Sequence, residues 1–522
     1  MAADATDRRW WVLAGACGGL AVLMLDSTVV NLALPELHRE LGASTSELQW
    51  IPNAYLLTIA ALVVTAGRLG DIIGRRRAFL SGLALFAAGS VIGGAGQSPE
   101  MVIAARVVQG LGAALVLPLS LTMVTDAFPG SDRGRAMGIW AAVSALALAV
   151  GPVTGGVLAG IDWRLIFWIN LPIVIPAYLV TRWAAVEVRD ETSPARIDVP
   201  GVILLTAGLA ALTLGLAQAE DWGWASAATL AVSGFGLALL AAFVLVERRV
   251  KNPIIDFRLF RNKPYFGASA AAFALVGSYW VVMFFEPQYL QNILDYSPAE
   301  AGLLILPVTL PMVLVSPVAD RIVSAFGPRT VMGCGMILGT LGLFVMGRID
   351  ADTGYPILFA GYLLFGIAMG LVYAPMQTAA MAAMPQSKAG IAAGVLAMNR
   401  ILSGALSLAV TSSLFHTFLR ERIQTLVEQP GLGEHDAAEL EGLAAGTASA
   451  QAKLAEQPAA LSGAISSAVD EAFSFALSNI LWFPIGLTAV GTILTWIYVA
   501  NPPRSGSTAP PDQHRHRGRF HL

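Results

Sequence analysis

Apolar residues in this chain arrive in blocks of about 20, the length one helix needs to cross the hydrocarbon of a bilayer, and fourteen such blocks follow one another. Backbone in hydrocarbon must satisfy its N–H and C=O groups internally, so each block is a helix or a strand of a closed barrel. The blocks lack the alternation and the ten-residue length of barrel strands, which leaves helices. Six spans fall at residues 12–34, 51–66, 79–96, 101–124, 136–158 and 165–185. Eight more fall at 199–217, 225–246, 266–286, 301–323, 331–346, 357–377, 391–416 and 473–499. With 56% of its 522 residues hydrophobic and 13% charged, against about a quarter charged in a soluble domain, the chain is excluded from the soluble enzymes.

Basic residues are retained in cytoplasmic loops. With the amino terminus inside, the outer loops hold only Arg39, Arg164, Arg348, Arg420, Arg422 and Lys453, and Arg106 and Arg400 lie within spans. This bias requires an even number of spans, with both termini cytoplasmic, and predicts residence in the cytoplasmic (inner) membrane. The first block is too long for a cleaved signal and carries Asp26, so it is expected to stay. A net charge of -3 leaves no basic field for nucleic acid. The two cysteines, Cys17 and Cys334, both lie in apolar blocks and offer neither a disulfide framework nor a thiolate metal site. The basic, His-containing tail from Pro502 reads as a solvated segment touching anionic lipid rather than a metal site.

An ionisable group near the bilayer centre costs about 2.5–3.5 kcal/mol even on a lenient scale, so each one needs a partner, a water path or a task. The set is Asp26 in span 1, Arg106 in span 4, Arg400 in span 13 and Glu286 near the outer end of span 9. None of the six histidines lies well within a span, so proton chemistry at depth falls on carboxylates. Asp26 is expected to load and unload a proton as its hydration changes; the alternative is a structural Asp permanently paired with an Arg such as Arg106. Glu286 reads as a solvated outer-end carboxylate, with contact to a cationic substrate as the alternative. Trp140, Tyr279, Trp280 and Tyr373 read first as packing or interfacial residues, with cavity lining as the alternative. Asn31, Gln109, Trp140, Trp280 and Tyr373 join Glu286 as candidate substrate contacts.

Small residues let helices approach closely, and proline bends them. Span 5 has both in Gly151-Pro152-Val153-Thr154-Gly155-Gly156, with Gly160 four residues on, a pattern that suits a helix rocking against a neighbour. Between spans 2 and 3, Gly67-Arg68-Leu69-Gly70-Asp71-Ile72-Ile73-Gly74-Arg75-Arg76-Arg77 reads as a clasp loop: glycines for a tight turn and close approach, Asp71 accepting from Arg75 or facing a helix end. A degraded copy follows span 10, as Ala319-Asp320-Arg321 and then Gly327-Pro328-Arg329. Such a repeat implies two helical bundles related by a pseudo-two-fold axis along the membrane normal, with a site between them.

With these motifs in order, the chain resembles the major facilitator superfamily, and within it the fourteen-span drug:proton antiporter family of the EmrB/QacA type. Residues 25–35 resemble the first-helix motif, 67–77 the cytoplasmic-loop motif, and Arg106-Val107-Val108-Gln109-Gly110-Leu111-Gly112 the span 4 motif whose Arg is associated with proton transfer. Residues 151–156 resemble the antiporter motif, and Trp163-Arg164 with Phe167-Trp168-Ile169-Asn170-Leu171-Pro172 the start of span 6. Glu286 and Gln288 stand where such proteins tend to be apolar, and Asp295 where Gly is common.

The resemblance implies an all-α integral membrane protein of fourteen transmembrane helices, with two six-helix bundles and an inserted central helix pair. The bundles are residues 1–185 and 265–500, the latter with a long outer loop at 417–471 that is expected to be mobile. Residues 186–264 hold the extra pair and a linker, and 501–522 the cytoplasmic tail. It assigns proton coupling to Asp26 with Arg106, the inner gate to Gly67, Gly70, Asp71, Gly74 and Arg75, and the bending helix to Gly151, Pro152, Gly155 and Gly156. The implied activity is proton-coupled export of lipophilic or cationic drugs and toxic organic compounds by alternating access. The alternative is dedicated export of an endogenous metabolite, antibiotic or lipid. The partners are then a small-molecule substrate, protons and the lipid bilayer; whether a periplasmic adaptor serves the exporter has no reading in the sequence. No cofactor or metal is expected, the proton gradient being the energy source at about 2.3 kcal/mol per charge per 100 mV, and no GxxxxGK[ST] loop is present. The scattered histidines argue against an integral-membrane enzyme.

Overall fold

The computed structural model describes residues 2–128, 132–189, 198–250, 257–350, 354–384, 389–427 and 459–501, with 253, 255 and 443. The side chains of Arg68, Asp71 and Asp320, the segment 428–442, and the tail from 502 lie outside the described residues. The first block forms α1 (Ala2–Leu32) and the short α2 (Leu34–Leu41), followed by α3 (Thr45–Ile73), α4 (Arg75–Gly94), α5 (Pro99–Ala127) and α6 (Asp132–Ala159). The sixth block is split into α7 (Leu165–Trp168) and α8 (Leu171–Ala184), and the extra pair is α9 (Val199–Ala217) and α11 (Ala227–Glu247) around the single turn α10 (Ala219–Trp222). Then come α12 (Lys263–Asn292), α13 (Pro298–Leu304) with α14 (Leu306–Phe326), α15 (Pro328–Met346), α16 (Tyr355–Ala382), α17 (Ala389–Val427), and α18 (Ala459–Ile480) with α19 (Trp482–Tyr498). Thirteen helical stretches among the described residues are long and apolar enough to cross a bilayer, and the 29-residue α3 over the second block is the fourteenth.

The breaks follow from proline chemistry. Pro35, Pro172 and Pro307 each stand in the first turn of a new helix, where a missing N–H is harmless. Ser44 and Ser297 start α3 and α13 with full capping boxes to Glu47 and Glu300. Asp295, where a Gly is common in the resembled family, adopts φ 55°, the left-handed region that Asp tolerates better than most side chains.

Three expectations need correction. The 67–77 segment is no loop: α3 runs on to Ile73, and Gly74 alone, at φ 111°, makes the turn into α4. Gly67 and Gly70 serve close approach instead, a Cβ on Gly70 meeting the Leu119 side chain of α5. The outer segment 417–471 is narrower than expected, because α17 continues to Val427 and α18 begins at Ala459, with Arg422 paired to Glu471 across them. Finally, α12 continues past Glu286 to Asn292, which carries that residue away from the helix end.

The first and last six spans repeat a packing scheme. A Cβ on Gly82 of α4 would stand 2.9 Å from the Gly112 carbonyl oxygen of α5, and one on Gly342 of α15 would stand 2.8 Å from that of Gly361 on α16. Here the small residues let backbone meet backbone. Gly327, at φ 83°, turns α14 into α15 as Gly74 turns α3 into α4. The free N–H groups after each turn are met by chain that follows the last helix of the same half. Arg75 N–H donates to the Val188 carbonyl (3.0 Å) and Arg76 N–H to Glu187 (3.1 Å), while Arg329 N–H donates to Asn501 (2.9 Å). We call the membrane face that holds Gly74 and Gly327 the N-face, since α1 begins there. α6 packs on α13 and α14, α3 on α17, and α9 bridges α3 and α17. α11 leans on α9 and turns Leu230, Phe235 and Leu245 outward, as a lipid-facing helix does.

Candidate functional site

Asp26 and Arg106, 80 residues apart, meet in the interior of the first six spans at 3% and 1% exposure. Arg106 Nη1 donates to Asp26 Oδ2. Asp26 Oδ1 accepts from Asn170 Nδ2 at 2.8 Å and Gln109 Nε2 at 3.2 Å. Ser90 Oγ accepts from Gln109 and Asn170 at 2.9 and 3.1 Å, so four helical segments close one polar network around a single carboxylate. Arg106 has partners that do not depend on the Asp26 charge: the Ile51 carbonyl at 3.3 Å, Gln109 Oε1 at 2.8 Å, and the Tyr55 ring, whose centroid is 4.1 Å from the guanidinium carbon. A buried ion pair is strongly destabilised when one partner is removed. These neutral contacts, including the cation–π contact, supply what Arg106 needs when the carboxylate takes a proton.

Asn170 was not singled out in the sequence reading. It stands at the break between α7 and α8 made by Pro172, and the break is what turns its amide toward Asp26. Ser90 and Tyr55 were likewise missed, because Ser and Tyr within apolar helices carry no signal of their own.

α6 connects this network to the other half. Gly151 and Gly155 lie against α1 at the level of Asp26; a Cβ on Gly155 would stand 2.7 Å from the Val29 carbonyl oxygen, and one on Gly151 would strike Thr28. On the adjoining face of α6, a Cβ on Gly156 would meet the Pro298 backbone, and one on Gly302 would stand 2.5 Å from the Pro152 carbonyl oxygen. Thr309 Oγ1 donates to the Ala149 carbonyl at 3.2 Å. One helix thus presses on the carboxylate segment with one face and on α13 and α14 with the other.

At the N-face, Arg75 grips both oxygens of Asp126 on α5, at 2.8 and 2.6 Å, and Arg77 approaches Glu187 at 3.6 Å. The expected Asp71 partner lies outside the described residues. A cavity of about 790 Å³ opens beside this pair, between Arg8, Arg9, Trp11, Asp126 and Trp183; no residue of the Asp26 network lines it. A partly exposed pair contributes about 0–1 kcal/mol, against about 3–5 kcal/mol for breaking a buried one. Asp126→Asn should therefore lower the thermal unfolding midpoint in detergent far less than Arg106→Gln does. Equal shifts would contradict the difference in burial.

The remaining candidates do not converge on Asp26. Gln109 belongs to the network, and Asn31 lies buried five residues along α1 with neither side-chain atom bonded. Trp140 donates to Ser120 at 3.2 Å, and Trp280 packs on Gly404 of α17. Tyr373 lies beneath Arg400, its ring centroid 5.2 Å from the guanidinium carbon. Glu286 is not solvated: it is fully buried, with Oε2 accepting from the Tyr362 hydroxyl at 2.6 Å and Oε1 unbonded. The extra helical turns beyond it are the reason. Among the described residues no cluster of three potential metal ligands occurs.

The family model described as Major Facilitator Superfamily matches residues 16–408. The chain belongs to that superfamily. This facilitator is 33% identical over 408 residues to the tetracenomycin C resistance and export protein of Streptomyces glaucescens, covering 78% of this chain and 76% of that one. It is 38% identical over 405 residues to the cephamycin export protein CmcT of Amycolatopsis lactamdurans (76% and 82%), and 32% over 413 residues to the multidrug resistance protein Stp of Mycobacterium tuberculosis (79% and 76%). Among solved structures, it shares a fold with a bacterial homologue of the human lysosomal transporter Spinster in an inward-facing, unoccupied conformation. That match has a TM-score of 0.67 at 17% identity and covers 94% of this facilitator and 98% of the other chain.

Proposed function

We propose that this facilitator is a secondary exporter of the cytoplasmic membrane that exchanges inward-moving protons for outward-moving lipophilic or cationic organic molecules. The N-face is then cytoplasmic, with both termini there, and two six-helix bundles, 1–185 and 265–500, rock about the seam that α6, α13 and α14 form. The observation that carries the reading is the Asp26 carboxylate, held by Arg106, Gln109 and Asn170 and pressed by the glycine face of the helix that also touches the other half. Protonation of Asp26 weakens its hold on Arg106, and the local rearrangement reaches α13 through α6. The proton gradient drives the cycle, and neither cofactor nor enzymatic step is involved. The relatives named for resistance and export support the direction of transport.

A second reading, a dedicated exporter of one metabolite or antibiotic, is favoured by relatives named for single compounds, tetracenomycin C and cephamycin. Proteoliposomes holding a pH-sensitive dye and an imposed proton gradient separate the two. Broad proton release on adding lipophilic cations such as tetraphenylphosphonium and ethidium is the expected result. A folded protein that moves no protons with any cation would sink the multidrug reading and leave the dedicated one.

A further inference from the structure

The charged groups at membrane depth differ in how they are neutralised. Arg106 has Asp26, and Glu286 rests on a tyrosine hydroxyl. Arg400, eleven residues into α17, or about 16 Å along the helix, has neutral partners alone among the described residues. It donates to Gln377 Oε1 at 3.4 Å, the long end of a hydrogen bond, and its guanidinium lies over Tyr373. A guanidinium has five N–H donors, so several are left to offer.

A second observation points to the same place. Tyr279 on α12 is 2% exposed, and its hydroxyl has no hydrogen-bond partner, although buried polar groups are almost always paired. Its ring meets Trp280 edge-on at 6.0 Å, and Trp280 packs on Gly404, one helical turn beyond Arg400 on α17. The cluster therefore combines a half-buried cation, an unused buried O–H and three aromatic faces, and nothing in it carries negative charge.

We infer that Arg400, Tyr373 and Tyr279 form an anion-recognising subsite in the second half, and that aromatic molecules bearing a carboxylate belong to the cargo range beside the lipophilic cations. Guanidinium forks match carboxylates in two hydrogen bonds, the aromatic faces take the apolar frame, and Tyr279 supplies a further donor. The inference rests on the export reading in taking this cluster as part of the cargo's place.

The test uses the purified full chain in detergent and two fluorescent probes with one aromatic frame, 1-pyrenebutyrate and its uncharged amide. The native protein is expected to bind the acid at least tenfold more tightly. Arg400→Gln should abolish that preference and leave the affinity for the amide unchanged, Arg400→Lys should restore part of it, and Tyr279→Phe should weaken acid binding a few-fold. Equal affinities in the native protein, or a preference that survives Arg400→Gln, overturns the inference; so does loss of amide binding together with acid binding, which marks a merely structural residue. Proton release in proteoliposomes distinguishes the two readings. Acid preference without proton release on adding either the cations or the acid leaves the subsite standing and removes proton-coupled export of both, whereas cation-driven release with no acid preference does the reverse.

Discussion

Asp26→Asn should cut substrate-driven proton movement by about 100-fold or more, the scale on which loss of a proton-transferring group acts, and leave a folded protein. The amide keeps one acceptor for Asn170 and Gln109, but it turns N–H groups toward Arg106. The guanidinium then relies on the Ile51 carbonyl, Gln109 and the Tyr55 ring. Some stability is lost, yet those partners are present before the substitution is made, so the helices stay assembled. Asp26→Glu retains a carboxyl and should retain part of the coupling. Proton release recorded in vesicles with the three proteins side by side decides the matter. Undiminished coupling in Asp26→Asn would leave Asp26 as a structural partner of Arg106 and move the proton to Glu286.

Gly156→Leu is expected to hold α6 and α13 apart. The new side chain would stand on the Pro298 backbone, which cannot yield as a side-chain tip can. Overpacking of this kind costs about 1–3 kcal/mol, a change of roughly 5- to 150-fold in the ratio of closed to open seam. In a background with Cys17 and Cys334 replaced by Ser, a cysteine placed at Ala299 should react much faster with a membrane-impermeant maleimide when Gly156→Leu is present, and export should fall in step. Unchanged labelling with normal export would show that the contact does not limit the cycle. Gly155→Ala strikes the Val29 backbone of α1 instead and should impair export without opening the seam to the maleimide.

The helices were legible because a bilayer leaves little choice of backbone, and each apolar block became one span. Asp26 and Arg106 were legible for the same reason, since charge is rare at that depth. Asn170, Ser90 and Tyr55 were not: neutral polar groups cost too little to stand out, and only the α7–α8 break brings Asn170 to the carboxylate. The 67–77 segment misled in part: its glycines were read as serving a tight turn and close approach together, whereas Gly67 and Gly70 are helical residues that make room for α5 and Gly74 alone makes the turn. Glu286 misled because the apolar block ends there and the helix does not. Asp126 and Glu187, which hold Arg75 and the start of α4, sit at the polar ends of spans, where a carboxylate is unremarkable until the fold brings its partner.

The N–H groups after Gly74 are met by Glu187 and Val188, and that after Gly327 by Asn501, so each half holds its third helix with chain made after its sixth. A nascent chain leaving the ribosome has everything needed to complete its first six helices once residue 188 has emerged, before any of the second half exists. The second half reaches the same point only when Asn501 has been added, 174 residues after Gly327. The order of translation therefore gives the first half an interval in which to settle alone, and makes the junction at Gly327 the later of the two to be secured.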